Sequence, residues 1–307
     1  MCFIVSLSTF DVFKQIEKHG DVIELSPNQI AQLQHLLLKM LSEFDSFCNA
    51  NDIQYTLSGG SCLGAVRHHG FIPWDDDLDI NMTRKNFNRF AELFKQQKGE
   101  RYWIHIPQET QNYGLGFPRI RLKGTVVKCR DDYFTNECGA YIDIFIVENT
   151  PNNPILRTLH GIISLALGFS LSCRRFAVYG NRYLELAEGY PDITKTFRMK
   201  IILGKLFSFC SMDSWVHAWD RWNGCCHNEK SQYVTIPVGR NHYFGELYLR
   251  KKMFPRKPCM FNGIHSWVPQ NSDYYLSKLY GDYMQIPPVK DRETHVVYEF
   301  DLDDKAY

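Results

Sequence analysis

Two hydrophobic periods alternate through the first half of the chain, and they define its first elements. Ile30, Leu33, Leu37, Met40, Leu41, Phe44 and Phe47 recur at helical spacing and form one apolar stripe. Ser26-Pro27-Asn28-Gln29 supplies the start of that helix. Ser26 is the N-cap, Pro27 fits the first helical position, and Gln29 completes a capping box. The helix is expected to end near Asn49–Asn51, and Ile53 to Leu57 then reads as a strand. Asp77-Leu78-Asp79-Ile80 alternates polar with apolar, so a strand would point both acids one way and Leu78 and Ile80 into the core. Thr83 caps a helix carrying Phe87, Phe90, Leu93 and Phe94, and short strands follow over 103–106, 118–122 and 125–129. In residues 139–147, Ile142, Ile144 and Ile146 share one face and leave Asp143 with Phe145 on the other.

Asn149-Thr-Pro-Asn-Asn-Pro154 punctuates the chain, and residues 155 to about 230 read as mostly helical. The most apolar stretch, Gly161 to Cys173, is too short to span a bilayer, which predicts a buried helix. Ile201, Leu203, Leu206, Phe207 and Cys210 are interleaved with Arg198, Lys200 and Lys205. Packing over the sheet is the expectation, and a basic, apolar surface resting on a membrane is the alternative. Beyond it come a strand at 233–237, two short strands within 254–269, and a helix from Asn271 to Tyr280 stopped by Gly281 and Pro287-Pro288. Residues 300–307 read as a frayed acidic tail. The expected organisation is an N-terminal extension (1–25), a core (26–150), a helical segment (151–230) and an aromatic-rich C-terminal part (231–307) that completes the core. The fold class is α+β, a mixed sheet flanked by helices.

Composition narrows the function by exclusion. With 35 basic and 34 acidic residues the net charge is +1, so no nucleic-acid partner is expected. None of the ten cysteines forms a C-x-x-C pair, which argues against a zinc ribbon or a thioredoxin-type motif and favours a reducing cytoplasm. Met1 to Phe10 is apolar but has neither a basic n-region nor a small-residue cleavage site, so it does not read as a signal peptide.

The candidate chemistry lies between residues 57 and 80. Gly59 and Gly60 let backbone N–H groups approach a ligand, and the Ser61 hydroxyl can bond a phosphate oxygen or the helix end. Asp75, Asp76, Asp77 and Asp79 follow, and paired carboxylates of this kind suit Mg²⁺ held together with substrate phosphates. Asp143, an acid inside an apolar strand, is either a third metal ligand or base, or an ion-paired core residue.

Three motifs resemble the LicD family, the bacterial phosphocholine transferases whose motifs also occur in fukutin and fukutin-related protein. They are Gly59-Gly-Ser-Cys-Leu-Gly-Ala-Val-Arg67, Gly70-Phe-Ile-Pro-Trp-Asp-Asp-Asp-Leu-Asp79 and Tyr141-Ile-Asp-Ile-Phe145, and a weaker likeness covers 275–288. Asn262 departs from the pattern, standing where members often carry Glu. The resemblance implies a nucleotidyltransferase-like fold with Asp77, Asp79 and Asp143 as catalytic and metal-binding acids. It also implies transfer of phosphocholine from CDP-choline, with CMP released, to a sugar hydroxyl of a lipopolysaccharide, a teichoic acid or a lipid-linked precursor. CDP-ribitol or CDP-glycerol as donor is the alternative, as is a non-catalytic nucleotide- or glycan-binding module. Under this reading Mg²⁺ (or Mn²⁺) is the cofactor, and Gly59, Gly60 and Ser61 cradle the donor phosphates. Arg67 either grips a phosphate or forms a surface ion pair. Trp267, Tyr274, Tyr275 and Tyr280 either box a choline ammonium or serve the core. The expected location is cytoplasmic, with peripheral membrane contact.

Overall fold

The computed structural model describes residues 22–132 and 135–302. Met1–Phe10, most of the N-terminal extension and the end of the acidic tail lie outside the described residues. In α1 (Pro27–Ala50) the capping box forms, with the Gln29 amide donating to the Ser26 hydroxyl and the Ser26 amide donating to Gln29 Oε1. The helix buries Leu33, Leu37, Met40, Leu41, Phe44 and Phe47, the face its periodicity required. After β1 (Thr56–Leu57) comes α2 (Gly59–Arg67), which opens directly on the two glycines. The glycine turn is therefore the first turn of α2 itself. In β2 (Asp79–Thr83) and just before it, Leu78 and Ile80 are fully buried, as the alternation demanded. Thr83 caps α3 (Arg84–Lys98), whose Phe90 and Phe94 meet Phe44 and Phe47 of α1 at ring-centroid distances of 5.1 to 5.7 Å.

The next strands are β3 (Tyr102–His105), β4 (Arg119–Leu122), β5 (Thr125–Cys129) and β6 (Tyr141–Asn149). The main sheet runs β1-β2-β6-β4-β3, with β2 and β6 parallel and the other neighbours antiparallel. A parallel pair needs a crossover between its strands, and α3 with the β3–β4 hairpin fills it. The far end of β6 continues into β7 (Tyr233–Thr235), which pairs Thr235 with Glu148. The C-terminal part thus completes the sheet. After α8 (His242–Gly245), β8 (Leu247–Leu249) adds to β7, and α9 (Arg250–Met253) follows. Then come the β9 (Lys257–Phe261) and β10 (Ile264–Val268) hairpin, α10 (Ser272–Tyr280) and β11 (Val297–Leu302). β11 corrects the frayed-tail expectation for 300–302, because it pairs antiparallel with β5.

The helical segment comprises α4 (Pro154–Val178), α5 (Gly180–Leu186), α6 (Pro191–Leu206) and α7 (Met212–Asn223). It has two small apolar clusters of its own, one around Phe176, Tyr183 and Phe197 and one around Leu171, Met212 and Val216. Neither joins the main core, so these helices do not pack over the sheet as expected. The buried helix expected over 161–173 is also corrected. Only 28% of the most apolar stretch of α4 is buried, because only one of its faces meets the rest of the chain.

A buried ion triad ties this segment to the sheet. Arg84, at the start of α3, donates to Glu148 of β6 and to both oxygens of Asp220 of α7. Both carboxylates are nearly inaccessible, and burial raises the Glu148 carboxyl above its ordinary range even beside the guanidinium. Removing the cation would leave two buried acids without their partner. Arg84→Leu is therefore expected to lose about 3–5 kcal/mol of unfolding free energy at pH 8. The loss should shrink towards pH 5 as Glu148 takes up its proton, measured by urea unfolding at both pH values.

Candidate active site

The pairing of β2 with β6 places Asp79 beside Asp143, and the pairing of β6 with β4 places Arg119 on the other side of Asp143. Two acids and a base therefore form a row across three neighbouring strands. The first turn of α2 is fastened over the Asp79 end of that row. The Ser58 amide donates to the Asp79 carbonyl at 2.9 Å, and the Asp79 amide donates to Ser61 Oγ at 2.9 Å. A Cβ at Gly59 would come within 2.8 Å of Asp79 Oδ2, and one at Gly60 within 3.1 Å of Asp75 Oδ2. Gly59 also has φ +45°, which side-chain-bearing residues rarely adopt. Glycine is needed here because backbone and carboxylate touch.

Electrostatics make the cluster costly when nothing compensates it. Burial pushes the Asp75 and Asp79 carboxyls well above the usual carboxylate range, and repulsion from Asp77 adds to both. Burial likewise raises Asp77, to about 6, although His295 opposes the shift. Asp75 Oδ2 is buried and has no hydrogen-bond partner among the described residues. An orphaned carboxylate oxygen inside a like-charged group is what a divalent cation would relieve, so the donor set fits a hard cation with oxygen ligands.

Among the described residues the three expected acids are neighbours, but their donor atoms do not converge as a three-ligand set. Both oxygens of Asp143 accept from Arg119, one of them from Nη2 at 2.7 Å, and the guanidinium lies 3.9 Å over the Tyr141 ring. Asp143 is thus the ion-paired strand residue that its apolar setting allowed as the alternative. It remains near enough to raise Asp77 and Asp79. The donor atoms that do converge, within 4.8 Å of one another, belong to Asp76, Asp77 and His295. The Asp76 carboxylate accepts from the His295 amide at 2.9 Å and meets His295 Nδ1 at 2.8 Å, while His295 Nε2 lies 3.6 Å from Asp77 Oδ2. Burial alone would lower the imidazole pKa, but Asp76 and Asp77 overcome it and hold His295 well above its ordinary value. His295 escaped the sequence reading because it sits in an irregular stretch with no motif around it. Its only local sign is that Val297 begins a strand two residues later.

Other expected residues have different partners from those foreseen. Ser61 is buried, and its hydroxyl accepts from Asp79, so it braces the turn. Arg67 donates to the carbonyls of Tyr283 (2.6 Å) and Gln285 (3.1 Å), which replaces both the phosphate contact and the ion pair. Asn262 grips the loop before the acids, accepting the Phe71 amide at 2.8 Å and donating its own amide to the His69 carbonyl. Of the four aromatics, Tyr275 and Tyr280 reach the glycine turn. The Gly59 amide donates to Tyr275 Oη at 3.0 Å, and Tyr280 Oη would lie 3.6 Å from a Cβ on Gly59. Trp267 instead carries the Arg256 guanidinium on its face at 3.8 Å.

The close approach yields a graded expectation. Gly59→Ala should cost about 1–3 kcal/mol, through a strained φ and a clash with Asp79. Gly60→Ala should cost distinctly less, as read from urea midpoints. Equal losses would contradict the contact.

A family model described as "LicD/FKTN/FKRP, nucleotidyltransferase domain" matches residues 52–154. Along 286 residues the chain is 27% identical to the lipopolysaccharide cholinephosphotransferase LicD of Haemophilus influenzae, covering 88% of this chain and 97% of that protein. It is 37% identical over 68 residues to the uncharacterised protein RT0683 of Rickettsia typhi, 22% of each chain. It is also 38% identical over 50 residues to the human ribitol 5-phosphate transferase FKRP, 16% of this chain and 10% of that one. The matched region contains the glycine turn, all four clustered acids, Arg119 and Asp143, so these residues of the candidate site lie where the chain is similar to the LicD/FKTN/FKRP nucleotidyltransferase domain.

Proposed function

We propose that this protein is a divalent-cation-dependent transferase that moves a phospho-alcohol from a CDP-linked donor to a hydroxyl of a glycan or lipid-linked saccharide. Phosphocholine is the proposed cargo. The observation that carries the reading is the contact of the Gly59-Gly60 turn with the carboxylates of Asp79 and Asp75. Donor N–H groups and cation-binding acids stand side by side there, as a nucleoside diphosphate requires. The likeness to LicD along most of the chain favours choline over other cargoes. The shorter likeness to a ribitol 5-phosphate transferase keeps a polyol phosphate as the second reading. Free thiols throughout the described residues suit the proposed cytoplasmic location.

Asp77 and Asp79 would hold the cation, Mg²⁺ or Mn²⁺, which when bound neutralises charge on the transferring and departing phosphates. The Gly59 amide is already used by Tyr275, which leaves the Gly60 and Ser61 amides as the first-turn donors to a phosphate oxygen. Arg119 would take the cationic role that is one of the two readings of Arg67. Asp143 holds its Nε and Nη2, while Nη1 is buried 3.7 Å from Asp132 Oδ1 with no hydrogen-bond partner among the described residues. His295 stands between Asp76, at 2.8 Å, and Asp77, at 3.6 Å, and so sets the orientation of Asp77.

The test is CMP release from CDP-choline with Mg²⁺ and a panel of saccharide acceptors. Release should require cation and acceptor, and Asp79→Asn should slow it by roughly a hundredfold or more, the scale of losing a principal electrostatic contact. Release from CDP-ribitol or CDP-glycerol alone would keep the chemistry and change the cargo. Silence with every donor would refute the transferase reading.

A further inference from the structure

We infer that the outer face of α4 and α6 is a docking surface for an anionic lipid bilayer, on which the protein lies without spanning it. α4 has 25 residues, long enough at helical rise to cross a bilayer, and carries no charged residue between Arg157 and Arg174. Its inner face excludes a spanning role. His160 Nδ1 pairs with Tyr243 Oη at 2.9 Å, Ser164 Oγ donates to Asn223 at 2.6 Å, and Gly168 packs against the Trp219 ring. Those bonds hold the helix sideways on the body of the protein.

The opposite face is exposed among the described residues. Ile155, Leu159 and Ile162 recur at helical spacing and are 78%, 51% and 53% exposed. An apolar stripe left in water needs an occupant. α6 lies against α4 and carries a second exposed stripe, in which Arg198, Ile202, Lys205, Leu206 and Phe209 recur at three- and four-residue spacing. The turn bearing Phe209 also rests on α4. Here the exposed apolar side chains alternate with cations and no acid enters the stripe. The acids between Pro154 and Cys210, namely Glu185, Glu188 and Asp192, lie before the stripe begins. Between Pro154 and Cys210 there are eight basic residues and three acids in a chain whose net charge is +1. Apolar side chains flanked by lysine and arginine match acyl chains beneath anionic headgroups. A second copy of the chain would set these cations against each other.

The experiment uses the full chain, needs no turnover and is thereby independent of the proposed reaction. The protein is sedimented with vesicles of phosphatidylcholine mixed with phosphatidylglycerol, and with vesicles of phosphatidylcholine alone. It should co-sediment with the mixed vesicles and much less with the neutral ones. The pair Leu159→Gln and Ile162→Gln should weaken partition by about tenfold or more, the loss expected for two anchoring side chains. The pair Arg198→Gln and Lys205→Gln should abolish the preference for the mixed vesicles. The second pair removes only exposed charges, so it decides the matter even if the first perturbs folding. Protein remaining in the supernatant with mixed vesicles would overturn the inference. So would a dimer in analytical ultracentrifugation that the α4 pair dissociates, because the face would then belong to a second copy.

Discussion

Parallel pairing of β2 with β6 sets Asp79 directly beside Asp143, and the remainder of the site can be traced to the charge this concentrates. Antiparallel β4 answers one of the two acids with Arg119. The other is left among Asp75 and Asp77, beneath a helix turn whose glycines bring backbone into contact with it. Burying like charges is unfavourable unless something binds them. The fold tolerates the arrangement because it is braced on every side. Ser61 and Ser58 fix the position of Asp79, Asn262 pins the loop carrying Asp75 to Asp77, and His295 holds Asp76. None of these braces needs to touch a substrate. They keep an electrostatically strained group from relaxing by rotating into solvent.

The C-terminal part contributes more to this end of the molecule than its distance in sequence suggests. β9 and β10 deliver Asn262, α10 brings Tyr275 and Tyr280 to the glycine turn, and the approach to β11 brings His295. Arg67, on α2, is held by carbonyls from the same region. The helical segment is attached differently, through the Arg84 triad and the polar inner face of α4, with apolar clusters separate from the main core. A segment so mounted can present a surface of its own without disturbing the carboxylates.

Much of this was legible in the sequence where a local rule governs it. The capping box at Ser26, the Thr83 cap and the burial of Leu78 and Ile80 depend on neighbours within a few residues, and they formed as read. The fates of Asp143, Ser61 and Arg67 depend on partners far along the chain. Arg119-Ile-Arg-Leu did offer a sign, because a strand with two arginines among apolar residues must find carboxylates, and Asp143 and Asp132 are those found. His295 offered no comparable sign. Its partner Asp76 lies 219 residues earlier, and the β5–β11 pairing helps bring them together. The exposure of α4 was equally hidden. Hydrophobicity says that a helix seeks an apolar neighbour, but not whether that neighbour belongs to the same chain.

The central claim is that the acids around Asp79 are held in a strained cluster that a divalent cation relieves. The most direct measurement is the thermal midpoint of wild type and Asp79→Asn with and without Mn²⁺ at pH 8. A carboxyl raised by burial and like charge costs stability once it ionises, so without cation Asp79→Asn should melt above wild type. Adding Mn²⁺ should raise the wild-type midpoint markedly and that of the variant little. A variant that melts below wild type without cation, together with a wild type indifferent to Mn²⁺, would contradict the account.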